Sequence, residues 1–271
     1  MIIFLEDQAM KGSPDRLPDD AVLIMAGPHE AEAALALAGI VAVAGFPEAE
    51  EASIRFESRP LYDYLSLHIP DFSSPDQEPQ ALESYLTRQL LLVVGEGPFF
   101  DQLVRNIEAR PGANRTPVQA LALLFNLLLT GESELLEAID DAIDRLEEEA
   151  SKRKPEDHAS EMIALRKQLA GIKHYFDSLY DLLEELEENK NGLFTKSQLQ
   201  LFRAYKNKVN RLITRTLNLR EHLTQVREAF QNQLDISLNE TMRFFTVITA
   251  IFLPLTLIAG WYGMNLKMPE L

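Results

Sequence analysis

Asn239, Met242, Phe245, Thr249, Leu253 and Thr256 recur three or four residues apart near the end of the chain, the spacing that lines side chains along one face of a helix. The set mixes polar rungs (Asn239, Thr249, Thr256) with apolar ones (Met242, Phe245, Leu253). Amides and hydroxyls can hydrogen-bond the water shell of an ion, and apolar constrictions can close a pore by dewetting. A plainer chemistry is open to the same residues. The threonines can bond back to helix carbonyls, and Met242 and Leu253 can simply pack.

The element that must carry these rungs is a membrane span. Phe244 to Met264 reads FFTVITAIFLPLTLIAGWYGM, an uncharged run long enough to cross a bilayer, which takes roughly 20 mostly apolar residues. Arg243 flanks its inner end, and Trp261 and Tyr262 near the outer end suit the interfacial zone. One helix has no lumen, so conduction requires several copies around an axis, each rung then becoming a ring.

Tyr262-Gly263-Met264-Asn265 follows Ile251-Phe252-Leu253-Pro254-Leu255-Thr256 and precedes Met268-Pro269-Glu270-Leu271. In that order these segments resemble the CorA-type magnesium transport proteins, closely over about 30 residues and more loosely over the helices before them. The resemblance implies homopentamers whose first spans line a pore, with the Gly263-Met264-Asn265 motif as its outer selectivity element. Magnesium dehydrates reluctantly, and a ring of Asn265 amide oxygens suits a hydrated ion. Mg²⁺ is then the expected cargo, with a regulatory role as well, and cobalt and zinc are the other divalent ions such a pore leaves open. Family sensing of cytosolic magnesium uses carboxylates between subunits, for which Glu228 on the stalk is put forward. Where some members carry a stalk acid, this chain has Arg203 and Ala204, and Arg59-Pro60-Leu61 is a remnant of a family segment. Glu270 is either a cation attractor or a solvated loop carboxylate. The family has two spans, so the resemblance implies that the sequence is part of a longer protein.

Composition narrows the alternatives. The net charge of −16 argues against a phosphate-binding surface, so no nucleic acid is expected as a partner. Residues 132–190 carry 8 basic and 18 acidic groups, net −10, whereas residues 196–243 carry 9 and 4, net +5. Acidic helices beside a basic stalk are expected. The absence of cysteine rules out disulfides and thiolate metal sites. The five histidines (29, 68, 158, 174 and 222) show no close pairing in sequence, so no built zinc site is visible. No phosphate loop or nucleophile elbow suggests an enzyme. The apolar run in MIIFLEDQAM is too short for a signal peptide. With Arg243 inside, an inner or plasma membrane protein with a cytoplasmic N-terminal domain is expected.

The expected class is α+β: a cytoplasmic α/β sandwich over residues 1–115, two long antiparallel helices over 116–192, a stalk helix over 193–243, a transmembrane helix over 244–264 and a loop over 265–271. Strands are expected at Ile2–Leu5, Val22–Met25, Ile40–Val43, Leu65–Ile69 and Leu90–Val94, with short helices at His29–Leu37 and Phe99–Ala109. Thr116-Pro117 opens a long helix that Gly131 either interrupts or weakens, and Asn191-Gly192 caps the next. Between Gly192 and Pro254 there is neither glycine nor proline. A helix unbroken to Gly263 spans about 100 Å at roughly 1.5 Å per residue and needs partner helices. Two alternatives stand beside a magnesium channel: a zinc transporter of the same superfamily resembling the ZntB branch, and a non-conducting, membrane-anchored helical interaction protein.

Overall fold

The computed structural model describes residues 1–5, 9–12, 17–18, 21–40, 54–72, 77–109, 116–150 and 158–263. Seven strands form one mixed sheet: β1 (Ile2–Leu5), β2 (Ala9–Lys11), β3 (Ala21–Ala26), β4 (Arg55–Ser58), β5 (Asp63–Ile69), β6 (Gln80–Leu86) and β7 (Leu91–Gly95). Their order is β2-β1-β3-β7-β6-β5-β4. Only β3 and β7 pair in parallel, Leu23 opposite Leu91, and every other neighbour is antiparallel. The two central strands read AVLIMA and LLVVG because both their faces are covered, which removes polar alternation. Leu23, Met25, Leu91 and Val93 join the core shared with the long helices. Ile24, Ala26, Leu92 and Val94 face a smaller cluster with Ala31, Ala34 and Leu35 of α1 (Ala31–Leu37).

Four expected strands coincide with β1, β3, β5 and β7. For the fifth, Ile40 is buried outside any strand, and residues 41–43 lie outside the described residues. Strands β2, β4 and β6 were not expected. In β6 the reason is polar: Glu83 and Ser84 are buried, with the Tyr85 hydroxyl donating to Glu83 Oε2 at 2.7 Å. That pairing lets a carboxylate sit in a strand whose sequence reads too polar for one.

After α2 (Pro98–Glu108), the chain builds a helical arm. Thr116 caps α3 (Pro117–Leu128), its hydroxyl accepting from the Gln119 amide at 3.2 Å. The single helix expected from Pro117 to about Leu146 is in fact two, for Gly131 adopts φ +87° and ends the first, a conformation glycine reaches without strain. Helix α4 follows over Glu132–Ala150, so residues 116–192 hold three helices rather than two. Helix α5 (Ala159–Glu187) then turns back through Gly192, φ +62°. Helix α6 (Lys196–Gly263) is one run of 68 residues.

Helix α6 is buried along Phe202, Val209, Leu212, Thr216, Leu219, Leu223, Val226 and Phe230, the three-and-four spacing of a helix seam against α4 and α5. At its root, Phe202 meets Phe125 edge-on at 5.8 Å and Phe194 at 5.2 Å between ring centroids. The turn before it is pinned to the sheet domain. Asn191 Nδ2 donates to the Arg59 carbonyl at 2.6 Å and to Asp63 Oδ1 at 2.7 Å. Ser58 Oγ donates to the same carboxylate oxygen at 2.6 Å. Burial pushes the Asp63 carboxyl above its usual range, partly offset by these two donors.

Candidate pore-lining face

Beyond Phe230 nothing among the described residues covers α6. Met242, Leu253 and Trp261 are 67%, 65% and 59% exposed, and the helix is long and apolar enough to cross a membrane, with none of that stretch buried. Large apolar side chains left bare over so long a run mark an interaction surface or a lipid-facing one. At 100° per residue, Asn239, Met242, Phe245, Thr249, Leu253 and Thr256 fall within roughly a 120° arc. The arc centres about a third of a turn from the seam that ends in Val226 and Phe230, so α4 and α5 do not reach it. Shallow grooves follow it, one lined by Met242, Phe245, Thr249 and Leu253, the next by Leu253, Thr256, Gly260 and Trp261.

The threonines do bond back to the helix: Thr249 Oγ1 donates to the Phe245 carbonyl at 2.8 Å and Thr256 Oγ1 to the Phe252 carbonyl at 2.7 Å. Thr214, Thr224 and Thr241 do the same along the stalk, so the bond is not special to the rungs. It has a chemical consequence there all the same. A hydroxyl that has spent its proton on the backbone offers only lone pairs outward, and the waters around a cation present their hydrogens outward as donors. Pro254 lies inside the helix and removes the amide that would bond the Ala250 carbonyl. Helix α6 is described as far as Gly263; Met264, Asn265 and Glu270 lie outside the described residues.

Other sequence expectations land elsewhere. Glu228 is exposed on α6, with no ion-pair partner within 4.0 Å among the described residues. Arg203 and Lys206 bind the acidic end of α5, Arg203 Nε to Glu187 Oε1 at 3.3 Å and Lys206 Nζ to Glu187 Oε2 at 2.5 Å. The acidic helices therefore do lie against the basic stalk, in the same chain. His222, which sequence spacing left isolated, stands beside three carboxylates of α4. The acids at 140, 144 and 147 share a helix face and were legible as a stripe; which residue of α6 meets them depends on the register of two helices about 80 residues apart, and local spacing carries no signal for that.

A buried carboxyl sits where α4 begins against the stalk. Desolvation pushes Glu132 up to about 7 from its ordinary 4.5, against the opposing pull of the Lys208 ammonium, and its Oε2 is buried without a hydrogen bond. Lys208 itself donates to the Leu129 carbonyl at 2.8 Å, closing the end of α3. The folded chain thus holds this proton more tightly than the unfolded chain. The resulting stability is complete below pH 4.5 and is lost as pH rises through about 7. Glu132→Gln is expected to flatten that part of the profile, worth up to about 3 kcal/mol, in thermal unfolding followed from pH 5 to 8. Identical profiles for the two proteins would show that Glu132 is ionised in both states.

Comparison with known proteins is consistent with this arrangement. Residues 28–271 match the family model described as "CorA-like Mg2+ transporter protein". The "Cobalt/magnesium transport protein CorA" of Thermotoga maritima is 28% identical over 228 residues, covering 82% of this chain and 65% of its own. The "Divalent cation transporter CmaX" of Pseudomonas aeruginosa is 26% identical over 166 residues, 60% of this chain and 49% of its own. The chain thus spans about half to two thirds of the length of these curated relatives. Among solved structures, the CorA magnesium transporter of Methanocaldococcus jannaschii superposes with a TM-score of 0.79 at 20% identity, over 99% of this chain and 89% of that one. Full-length CmaX gives 0.76 at 20% identity, over 99% and 87%. These two likenesses are of fold.

Proposed function

Since this chain belongs to the CorA-like Mg2+ transporter family, we propose that it carries divalent cations, Mg²⁺ foremost, across an inner or plasma membrane as a homopentamer. The observation that carries this reading is the uncovered, uncharged end of α6, with acceptor and apolar rungs alternating along one face. Five copies of that face around an axis bring the rungs together as rings. The chain's own α4 and α5 cover the other face of the stalk and leave this one free for them.

In that assembly the Asn239, Thr249 and Thr256 rings accept hydrogen bonds from an ion's waters, so Mg²⁺ need not shed its shell to pass. The Met242, Phe245 and Leu253 rings form the apolar gate, which closes by expelling water rather than by filling with side chain. In this reading the Gly263-Met264-Asn265 motif stands at the outer mouth. There the Asn265 amides select a hydrated cation. The sheet domain, α4 and α5 lie on the cytoplasmic side, with Glu228 as a stalk carboxylate for cytosolic Mg²⁺. The names of the relatives, which include cobalt with magnesium and divalent cations at large, support the ion class more strongly than the choice within it.

The deciding experiment is Mg²⁺ flux into liposomes carrying the full-length protein, with Co²⁺ and Zn²⁺ run alongside. Saturable Mg²⁺ uptake exceeding that of the other two is expected. Zn²⁺ uptake alone would replace magnesium with zinc. No flux of any divalent ion from a confirmed oligomer would overturn the channel and favour a membrane-anchored interaction protein.

A further inference from the structure

We infer that His222 of α6, with Asp140 and Asp144 of α4, forms a binding site for a borderline divalent cation such as Co²⁺, Zn²⁺ or Ni²⁺, which clamps α4 to the stalk. The inference holds independently of transport and concerns a place about 30 Å short of the span, 22 residues at roughly 1.5 Å each.

The seam between the two helices sets the geometry. Ile139, Ile143 and Leu146 of α4 are buried in the core that also holds Leu219, Leu223 and Val226 of α6. Asp140, Asp144 and Glu147 each follow one of those apolar residues, and His222 precedes Leu223, so all four line the rim of the seam. His222 Nε2 lies 3.9 Å from Asp144 Oδ1 and 3.4 Å from Glu147 Oε2, and Nδ1 lies 3.6 Å from Asp140 Oδ1. Ligand atoms of Asp140, Asp144 and His222 all fall within 4.8 Å of one another.

These separations are informative. They are longer than a good N–H···O bond, about 2.7–3.2 Å. Bonds of about 2.0–2.2 Å at tetrahedral angles put ligand atoms roughly 3.4 Å apart, so the Asp140, Asp144 and His222 atoms, all within 4.8 Å of one another, need close by only about an ångström to share one ion. The fourth residue has a role as well. Glu147 faces Nε2 at 3.4 Å while Asp140 faces Nδ1, so a carboxylate stands on either side of the ring, and the one facing the nitrogen that the metal leaves free would accept its N–H and hold the ring's orientation. Charge points the same way. The imidazole brings at most one positive charge to Asp140 and Asp144. No Lys or Arg lies within 4.0 Å of Asp140 or Asp144 among the described residues, although the stalk around them is basic.

A nitrogen with two oxygens selects the borderline ions. Mg²⁺ prefers an all-oxygen shell rich in water, whereas imidazole with carboxylates suits Zn²⁺, Co²⁺ and Ni²⁺. The residues are partly exposed, side chains 28% for His222, 41% for Asp140 and 62% for Asp144, so water completes the coordination.

The test is Co²⁺ titration of the purified full chain in detergent, read by visible d–d absorption and by thermal unfolding, with Mg²⁺ as the comparison. The wild type is expected to show a band that saturates with Co²⁺ and a rise in Tm that Mg²⁺ at the same concentration does not give. His222→Ala and the Asp140→Asn/Asp144→Asn pair should each lose that band, with metal-free Tm and far-UV circular dichroism unchanged. Glu147→Gln should weaken Co²⁺ by about 10–100-fold at most, as loss of a ring-orienting carboxylate does. The same Co²⁺ band and Tm rise in His222→Ala as in the wild type would overturn the site, as would Mg²⁺ giving an equal rise that depends on His222. Because the readout is binding and stability, failure here is distinct from failure of ion flux in liposomes.

Discussion

Alanine at position 265 is expected to abolish Mg²⁺ uptake by the full-length protein. If Asn265 forms the outer ring, each subunit presents one amide oxygen to the hydrated ion, and Asn265→Ala removes all of them together. A hydrogen bond to a charged partner is worth about 1.5–3 kcal/mol. With every 1.4 kcal/mol a factor of ten, loss from several subunits predicts a fall of roughly 100-fold or more. Thr256→Val is the informative companion. The Thr256 hydroxyl is already bonded to the Phe252 carbonyl, so its removal takes away acceptors without stranding a donor and should cost uptake far less. Fluorescent Mg²⁺ indicators sealed in liposomes measure both. Wild-type rates in Asn265→Ala would remove the selectivity ring, leaving the rungs within the span to choose the ion.

The second large effect is on stability. Phe202→Ala is expected to cost about 3–5 kcal/mol, the range for truncating a fully buried aromatic. Phe202 has no exposed surface and sits at the one place where α3, the α5–α6 turn and α6 converge, with Phe125, Phe194 and Tyr205 around its ring. Phe202→Leu keeps most of the volume and should cost well under half as much. Chemical denaturation of the three proteins checks the series. An alanine variant within 1 kcal/mol of wild type would mean that the cluster collapses around the gap, or that this junction contributes little to the transition.

What was legible from sequence follows the range of the forces involved. The seam of α6 could be read because each buried residue is predicted by its neighbours three and four positions away. The span could be read because a bilayer asks only for length and lack of charge. Strand β6 could not, since the Tyr85 hydroxyl that satisfies Glu83 comes from two residues along the same strand and leaves no apolar pattern. Gly131 was seen as a point of interruption, but only its positive φ decided between a weak point and a break. The residues proposed as rungs share a helix face as spacing implied, and the back-bonding anticipated for the threonines is present too. The two accounts of those residues turn out to be compatible. The His222 group and the Asn191–Asp63 pin were missed for one reason: each joins residues brought together by tertiary register, 75 and 128 positions apart.

The length of α6 beyond its last buried contact has a mechanical meaning. Phe230 acts as a fulcrum, and the 33 residues from there to Gly263 form an outboard arm of about 50 Å. The arm has no glycine before Gly260 and only Pro254 as a point of compliance. A tilt of about 5° at the fulcrum therefore sweeps the far end through roughly 4 Å, more than the width of a water molecule. Displacements too small to break any contact among α4, α5 and the stalk are in this way geared up to the scale on which a ring of side chains admits or expels water.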